Sequence, residues 1–370
     1  MSGVLQDSTF WWTLCLTGAA AIAATAYVLF GPESLRGRDS RVPGLINLGN
    51  TCFINSILQA MASIPSLLQW LDSKETPLAV SLKNVLHALN DNNEVNISPE
   101  ELTQALMRHR WLIDHQQQDA LEFYHVLLTT LEEEMTGPTL SLSDLINDPQ
   151  VEAQSSSTKG MALTKIGSFS APSQPKSCPL QGLMSSSLVC CDCQHALPTR
   201  YESIDSISLP LSQRAASVSS SLVECLRDYM SSEIVDDIEC PSCSKRAGVK
   251  TKRSFRKKLR IGRPPEVLCL NIIRSVWRSD GTMVKNRSRL VFPLTLDINS
   301  FLTTTATRQD KTKYQLRAVV EHLGGPSSGH YCTYRQCGRQ WLYTSDTTVY
   351  PVYNHEVMNC EAYLLFYQMD

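Results

Sequence analysis

The chain lacks any surplus of charge: 34 Lys and Arg face 36 Asp and Glu, leaving a net −2 and a pI near 6.5. That balance excludes a global electrostatic pull toward nucleic acid or an anionic membrane surface. No internal repeat is apparent along the 370 residues. Cysteine is plentiful, but a framework of bridges is not: the 13 cysteines mix isolated residues with two close pairs, which fits a reducing compartment better than disulfides. A chain of this length has room for one large domain or two ordinary ones, so a sizeable core is available without covalent staples.

Charge is missing altogether from Phe10 to Phe30, in the run FWWTLCLTGAAAIAATAYVLF. Its 21 residues match the roughly 20 needed to cross a bilayer as a helix. Trp11, Trp12 and Tyr27 stand where interfacial anchors sit. A secretory signal would carry a basic n-region, but residues 1–9 hold only Asp7, and a buried core helix would show a polar face, which this run lacks. The expectation is a transmembrane anchor over 10–30, after a short tail (1–9) and before a linker (31–42). Arg36, Arg38 and Arg41 follow it, which leaves the rest of the chain facing the cytosol. An alanine-rich anchor with a basic C-terminal flank is of the kind found on mitochondrial outer-membrane proteins, so that membrane is the expected location.

Past the linker the pattern is mixed α and β. Apolar residues at helical spacing predict helices over 52–64 (Phe53, Ile57, Met61, Ile64) and 119–135 (Ala120, Phe123, Leu127, Leu131, Met135), stopped by Pro65 and by Gly137-Pro138. Later, SISLPL, VLCLNII and AYLLFY read as strands. Residues 137–180 are rich in Ser, Thr and Pro without a sustained period, the signature of a flexible insertion, and 300–313 reads as a polar loop.

Between linker and first helix lies GLINLGNTCFINSILQ, residues 44–59. Cys52 stands where the helical period begins, and there the macrodipole and unpaired backbone N–H groups favour a thiolate. Attack on a carbonyl needs oxyanion donors, and Asn47 and the Cys52 N–H are in place to serve. A lone cysteine is more often an inert buried one, so a base must be found. Among eight histidines His330 differs, because in EHLGGPSSGHYCTY it follows a Gly-Ser turn and opens a strand. Downstream, WLYTSDTTV supplies Ser345 and Asp346, either able to accept the imidazole N–H.

Together these stretches resemble the cysteine and histidine boxes of the ubiquitin-specific proteases. QQDALEF (117–123) and VLCLNIIR (267–274) match further segments of that family in order, and the likeness covers nearly all of 43–370. The resemblance implies an α+β, papain-like catalytic domain with thumb, palm and zinc-ribbon fingers, the fingers spanning roughly 185–265. It implies a thiol deubiquitinase that hydrolyses the isopeptide bond at the C-terminal glycine of ubiquitin, with ubiquitin and ubiquitinated membrane proteins as partners. Cys52 is then the nucleophile, His330 the general base, and Asn47 the oxyanion donor. Gln117, Gln118, Asp119 and Glu122 shape the channel for the ubiquitin tail; read from the residues alone, they cap and clothe a helix. The family's third catalytic residue is usually acidic or an amide, and here Ser345 holds that place with Asp346 after it. A hydroxyl orients an imidazole without stabilising its charge, so Ser345 is expected to orient His330 while Asp346 stands behind it or on the oxyanion side. The altered triad also admits a non-catalytic ubiquitin-binding scaffold of the same fold, and an ordinary papain-like peptidase is a further alternative.

A second constellation pairs Cys190 with Cys193 and Cys240 with Cys243, two C-x-x-C knuckles suited to one tetrahedral, structural zinc. A redox pair is the rival, and Cys191 is a neighbouring alternative ligand with the wrong spacing. Residues 244–263 carry ten Lys or Arg and no acid. A nucleic-acid or lipid surface is one reading; a hairpin with a solvated basic face over Phe255, Leu259 and Ile261 is the preferred one, since stacking aromatics are not interleaved. No nucleic-acid partner is expected.

Overall fold

The computed structural model describes residues 42–91, 96–109, 111, 118–136, 177–211, 220–303, 311–326 and 328–370. The expected anchor over 10–30, its flanking arginines, Gln117 and residues 137–176 of the expected insertion lie outside them. Among the described residues no helix is long and apolar enough to cross a membrane.

The N-terminal part is helical. The cysteine helix, Cys52–Ala62, is buried along its whole length, so it runs through the core with no solvated face. It is shorter than the predicted 52–64, because Ser63 closes it and Pro65 opens a new helix, Pro65–Asp72, with proline in the first turn where its missing N–H costs nothing. Pro77–Ala88 and Glu100–Arg108 follow. The helix predicted at 119–135 is Ala120–Thr136. Asp119 caps it, its Oδ1 accepting the Leu121 N–H at 2.7 Å and the Glu122 N–H at 3.2 Å.

An eight-stranded sheet forms the second layer. Its order is Thr348–Val352, Gln340–Ser345, Gly329–Cys337, Lys313–Gly324, Ala362–Met369, Val267–Ile273, Ser206–Pro210, with Thr295–Asp297 also paired to Lys313–Gly324. All neighbours are antiparallel except Ser206–Pro210, which runs parallel to Val267–Ile273. Alternation sends successive side chains to opposite faces. Leu364, Phe366, Val267 and Cys269 therefore join the core under the helices, while Leu365, Tyr367, Leu268 and Leu270 fill a second core on the other side. Of the three strands named from the sequence, Ala362–Met369 and Val267–Ile273 are central in this sheet and Ser206–Pro210 is at its edge. The expected insertion ends sooner than 180: Leu180 is fully buried and the Pro179 carbonyl accepts the Val267 N–H at 2.9 Å.

A separate four-stranded antiparallel sheet, ordered Arg200–Ile204, Gly182–Cys190, Lys252–Arg263, Glu233–Glu239, occupies the region expected to form the fingers. The basic run supplies its strand Lys252–Arg263, which buries Phe255 and Ile261 while Lys257 and Arg253 pair with Glu233 and Asp192 at the surface.

Candidate active site

The cysteine box reaches the catalytic sheet through a close backbone approach. Strand Gly44–Leu45 passes the turn after Ser345 so tightly that a Cβ on Gly44 would lie 2.5 Å from the Thr347 backbone, and the Leu45 N–H donates to the Asp346 carbonyl at 2.9 Å. The chain then turns through Gly49 and Asn50, both with positive φ (102° and 56°), and enters the helix at Cys52. Asn47 shapes that turn: its Oδ1 accepts the N–H groups of Gly49 (3.0 Å) and Thr51 (3.1 Å).

Two of the residues expected to act together meet directly. His330 Nε2 lies 2.7 Å from Ser345 Oγ, across adjacent strands. The neighbouring carboxylate, Asp346, does not hold the imidazole in this arrangement. Its Oδ2 accepts the Asn47 amide at 2.9 Å and its Oδ1 the Asn55 amide at 2.7 Å, so it joins the cysteine loop to the cysteine helix. Cys52 is buried at this junction, where the backbone of Tyr331, the residue after His330, acts to lower its pKa. The thiol is not the low-pKa group that a helix N-terminus suggests. Burial, reinforced by the Asp346 carboxylate, pushes it up, and this outweighs the donors from the Tyr331, Phe53 and Cys52 backbone.

A glycine requirement guards the histidine. At Gly329 a Cβ would come within 2.1 Å of the Leu323 carbonyl and 2.3 Å of the His322 ring, so no side chain fits immediately before His330. His322 in turn packs on Tyr331, ring centroids 4.6 Å apart.

Of the expected tail-channel residues, Asp119 is joined to the histidine strand through Tyr331. Asp119, besides capping its helix, accepts hydroxyl hydrogens at Oδ2 from Tyr363 (2.6 Å) and Tyr331 (3.3 Å). Burial pushes both phenols far up, so they stay donors at any physiological pH. Asp119, Tyr331 and Tyr363 line a cavity of about 230 Å³ together with Arg274, Lys285 and His322. On the other side Asp119, Glu122, His125 and Glu133 border a broader groove of about 580 Å³. Gln118 is half-buried beside Asp119, and Glu122 is exposed. Sequence reasoning missed Tyr331, Tyr363 and Asn55. The one signal for the tyrosines was their hydroxyl, which must find a partner once the ring is buried.

The four expected ligand cysteines converge. The sulfurs of Cys190, Cys193, Cys240 and Cys243 all lie within 4.8 Å of one another, packed around Phe255 in a small core of their own. Cys191 is outside the group; its N–H pairs with the Ser254 carbonyl. The His195 N–H and the neighbouring thiols hold Cys193 down to about 6, and hydrogen bonding to it pushes Cys243 up to about 12. A cation held by all four sulfurs would favour their thiolate forms together.

Residues 43–367 match the family described as ubiquitin carboxyl-terminal hydrolase. This chain belongs to that family. It is a cysteine deubiquitinase by kinship, and the alternative of an ordinary papain-like peptidase falls with that result. Among its relatives is ubiquitin carboxyl-terminal hydrolase 30 of Xenopus tropicalis, 31% identical over 95% of this chain and 86% of the relative. The Homo sapiens protein of the same name is 29% identical over 95% and 89%. Ubiquitin carboxyl-terminal hydrolase 2 of Homo sapiens is 29% identical over 92% of this chain and 57% of its own length. Among solved structures, the SAGA Ubp8/Sgf11/Sus1/Sgf73 DUB module bound to ubiquitin aldehyde shares the fold, with a TM-score of 0.67 at 24% identity over 91% of this chain and 71% of that one.

Proposed function

We propose that this deubiquitinase cleaves the bond between the ubiquitin C-terminal glycine and a lysine amine through Cys52, His330 and Ser345. The contact of His330 Nε2 with Ser345 Oγ at 2.7 Å carries the reading. Ser345 fixes the ring orientation. His330 takes the thiol proton as the sulfur attacks the carbonyl, then gives it to the departing amine, and water resolves the thioester. A thiol held up by burial suits a proton transfer coupled to attack better than a resting ion pair. The Asn47 amide, held by Asp346, and the Cys52 N–H stabilise the oxyanion. Gln117, Gln118, Asp119 and Glu122 line the path of the tail.

Cys190, Cys193, Cys240 and Cys243 would hold one zinc ion, which the convergence of four sulfurs in a small apolar core supports. Such a closed thiolate site braces its subdomain. The charge-free run 10–30 and the arginines after it support a single membrane anchor with the catalytic domain on the cytosolic side. Likeness to the hydrolase 30 proteins over 95% of the chain supports the mitochondrial outer membrane as that membrane. Tethering raises the effective concentration of the enzyme toward ubiquitinated proteins on the same surface. There it removes the ubiquitin that marks the organelle for mitophagy. A ubiquitin probe with an electrophilic C-terminus tests the chemistry: covalent capture of the full chain, lost in Cys52→Ser, is expected. Tight binding without capture would leave a non-catalytic scaffold.

A further inference from the structure

Beneath Cys52 runs a line of polar contacts that the chemistry above does not use. Cys52, Ser56 and Gln59 share one face of the cysteine helix, four and three residues apart. Tyr331, Thr333 and Arg335 alternate along the histidine strand, Gly329–Cys337. The two rows meet rung by rung. Thr333 Oγ1 donates to the Ser56 carbonyl at 2.8 Å, and Arg335 Nη1 donates to Gln59 Oε1 at 2.8 Å.

We propose that this buried seam sets the register of the helix bearing the nucleophile against the strand bearing the base, and that Arg335 is the positioning residue that locks it.

Arg335 is only 1% exposed, yet the acceptors around it are all neutral: Gln59 Oε1, the Leu89 carbonyl and Asn90 Oδ1. Among the described residues no carboxylate pairs with it. A buried cation without a counter-ion is costly unless other groups offset it. Here the offset is helical. Leu89 closes the helix Pro77–Ala88, so the guanidinium sits at the negative end of that helix dipole, and Asn90, which accepts from Arg335, donates in turn to the Ala62 carbonyl at the end of the cysteine helix (2.8 Å).

The same contacts reach every segment of the proposed site. The Gln59 amide donates to the Pro43 carbonyl (3.2 Å), just ahead of the cysteine loop. Thr344 Oγ1 donates to the Thr333 carbonyl (3.1 Å), which brings in the strand ending at Ser345. An apolar interface would hold helix to strand without fixing where one stops along the other, because hydrophobic attraction is non-directional. Hydrogen bonds from a planar fork are directional, and a slide of one residue, about 1.5 Å along a helix, would break both rungs.

This inference rests on the proposed roles of Cys52 and His330, and the experiment separates the two. The full chain is compared with Arg335→Met, Arg335→Lys and Thr333→Val for kcat and KM on a ubiquitin-fluorophore substrate, for capture by the electrophilic ubiquitin probe, and for the pH dependence of Cys52 alkylation by iodoacetamide, followed by mass spectrometry. In Arg335→Met, kcat is expected to fall about 10- to 100-fold with KM nearly unchanged, the scale of a misplacement near 1 Å. Arg335→Lys should recover part of the loss, and the alkylation midpoint should move in step with kcat. If Arg335→Met fails to fold, Thr333→Val and Arg335→Lys give the same pattern at smaller amplitude. Variants that melt lower but keep wild-type kcat and alkylation profile would overturn the seam alone. Absence of capture in the wild-type chain would overturn the roles of Cys52 and His330 instead.

Discussion

Cys52 and the cluster of Cys190, Cys193, Cys240 and Cys243 present one kind of side chain in two opposed settings. At Cys52 a single sulfur is buried beside a carboxylate and a few backbone donors, and it stays protonated until something takes the proton. In the cluster four sulfurs face one another within 4.8 Å, and one of them is already held down to about 6. The nucleophile needs a partner from the far end of the chain. The cluster needs only two short knuckles and a hairpin to bring them together. Isolation makes a thiol wait for a base, whereas crowding makes a set of thiols want a cation.

Removing the lone sulfur is the severest way to break that contrast. Cys52→Ser should abolish turnover and probe capture while thermal melting stays close to wild type. The mirror experiment removes one of the four: Cys240→Ser, or a strong chelator, should lower the melting temperature and weaken ubiquitin binding, yet leave the iodoacetamide reactivity of Cys52 in place. The zinc reading fails if chelation changes neither. Next come the neighbours of the imidazole. Ser345→Ala should cost about 10²-fold or more in kcat, the range of a lost orienting or proton-transfer contact, and Asp346→Ala should act through the cysteine loop; a crippling effect of the aspartate change alone would reassign the third catalytic residue.

The pH response sharpens the same comparison. Because the Cys52 thiol is raised in the fold, its alkylation should climb with pH through a midpoint above the ordinary thiol range, about 8.5. Asp346→Asn removes a negative neighbour and should move that midpoint down. The sign for stability runs with it: folding favours the protonated thiol, so its contribution is complete below the unfolded thiol pKa and is lost as pH rises through the folded one. The smallest effect belongs to the surface of the fingers, where Lys257→Ala breaks a largely exposed pair with Glu233 and should change stability by less than about 1 kcal/mol in a denaturant titration.

Much of the fold could be read from short-range pattern. The cysteine helix, the helix Ala120–Thr136 and the strands in SISLPL, VLCLNII and AYLLFY all follow periodicities of 3.6 or 2. Boundaries were less legible: a helix over 52–64 breaks at Ser63, because Pro65 starts its own helix. The tail of the expected insertion, with Leu180, turned out to be core, since one or two apolar residues in a polar stretch show no period. The basic run, expected as a hairpin with a solvated face over Phe255, Leu259 and Ile261, is instead the end of a helix followed by a single strand, Lys252–Arg263, in which Phe255 and Ile261 are buried. The direction of the Cys52 pKa was misread for a different reason: helix position is local information, while burial depends on what packs over the helix.

By itself the sequence determined the chemical vocabulary of this protein: a cysteine at a helix start, a histidine after a glycine turn, paired cysteine knuckles, and a charge-free run near the N-terminus. Residue type and spacing along a chain carry that information directly. Only the tertiary structure decided which groups share a proton and which merely stand near one another. It set Ser345 on His330, turned Asp346 toward Asn47 and Asn55, hung Tyr331 and Tyr363 on Asp119, and buried Arg335 under the cysteine helix. Those choices depend on angles, and on differences in distance of a few tenths of an ångström, between residues from 15 to 299 positions apart. Hydrogen bonding at that range is fixed by packing, which no local pattern encodes.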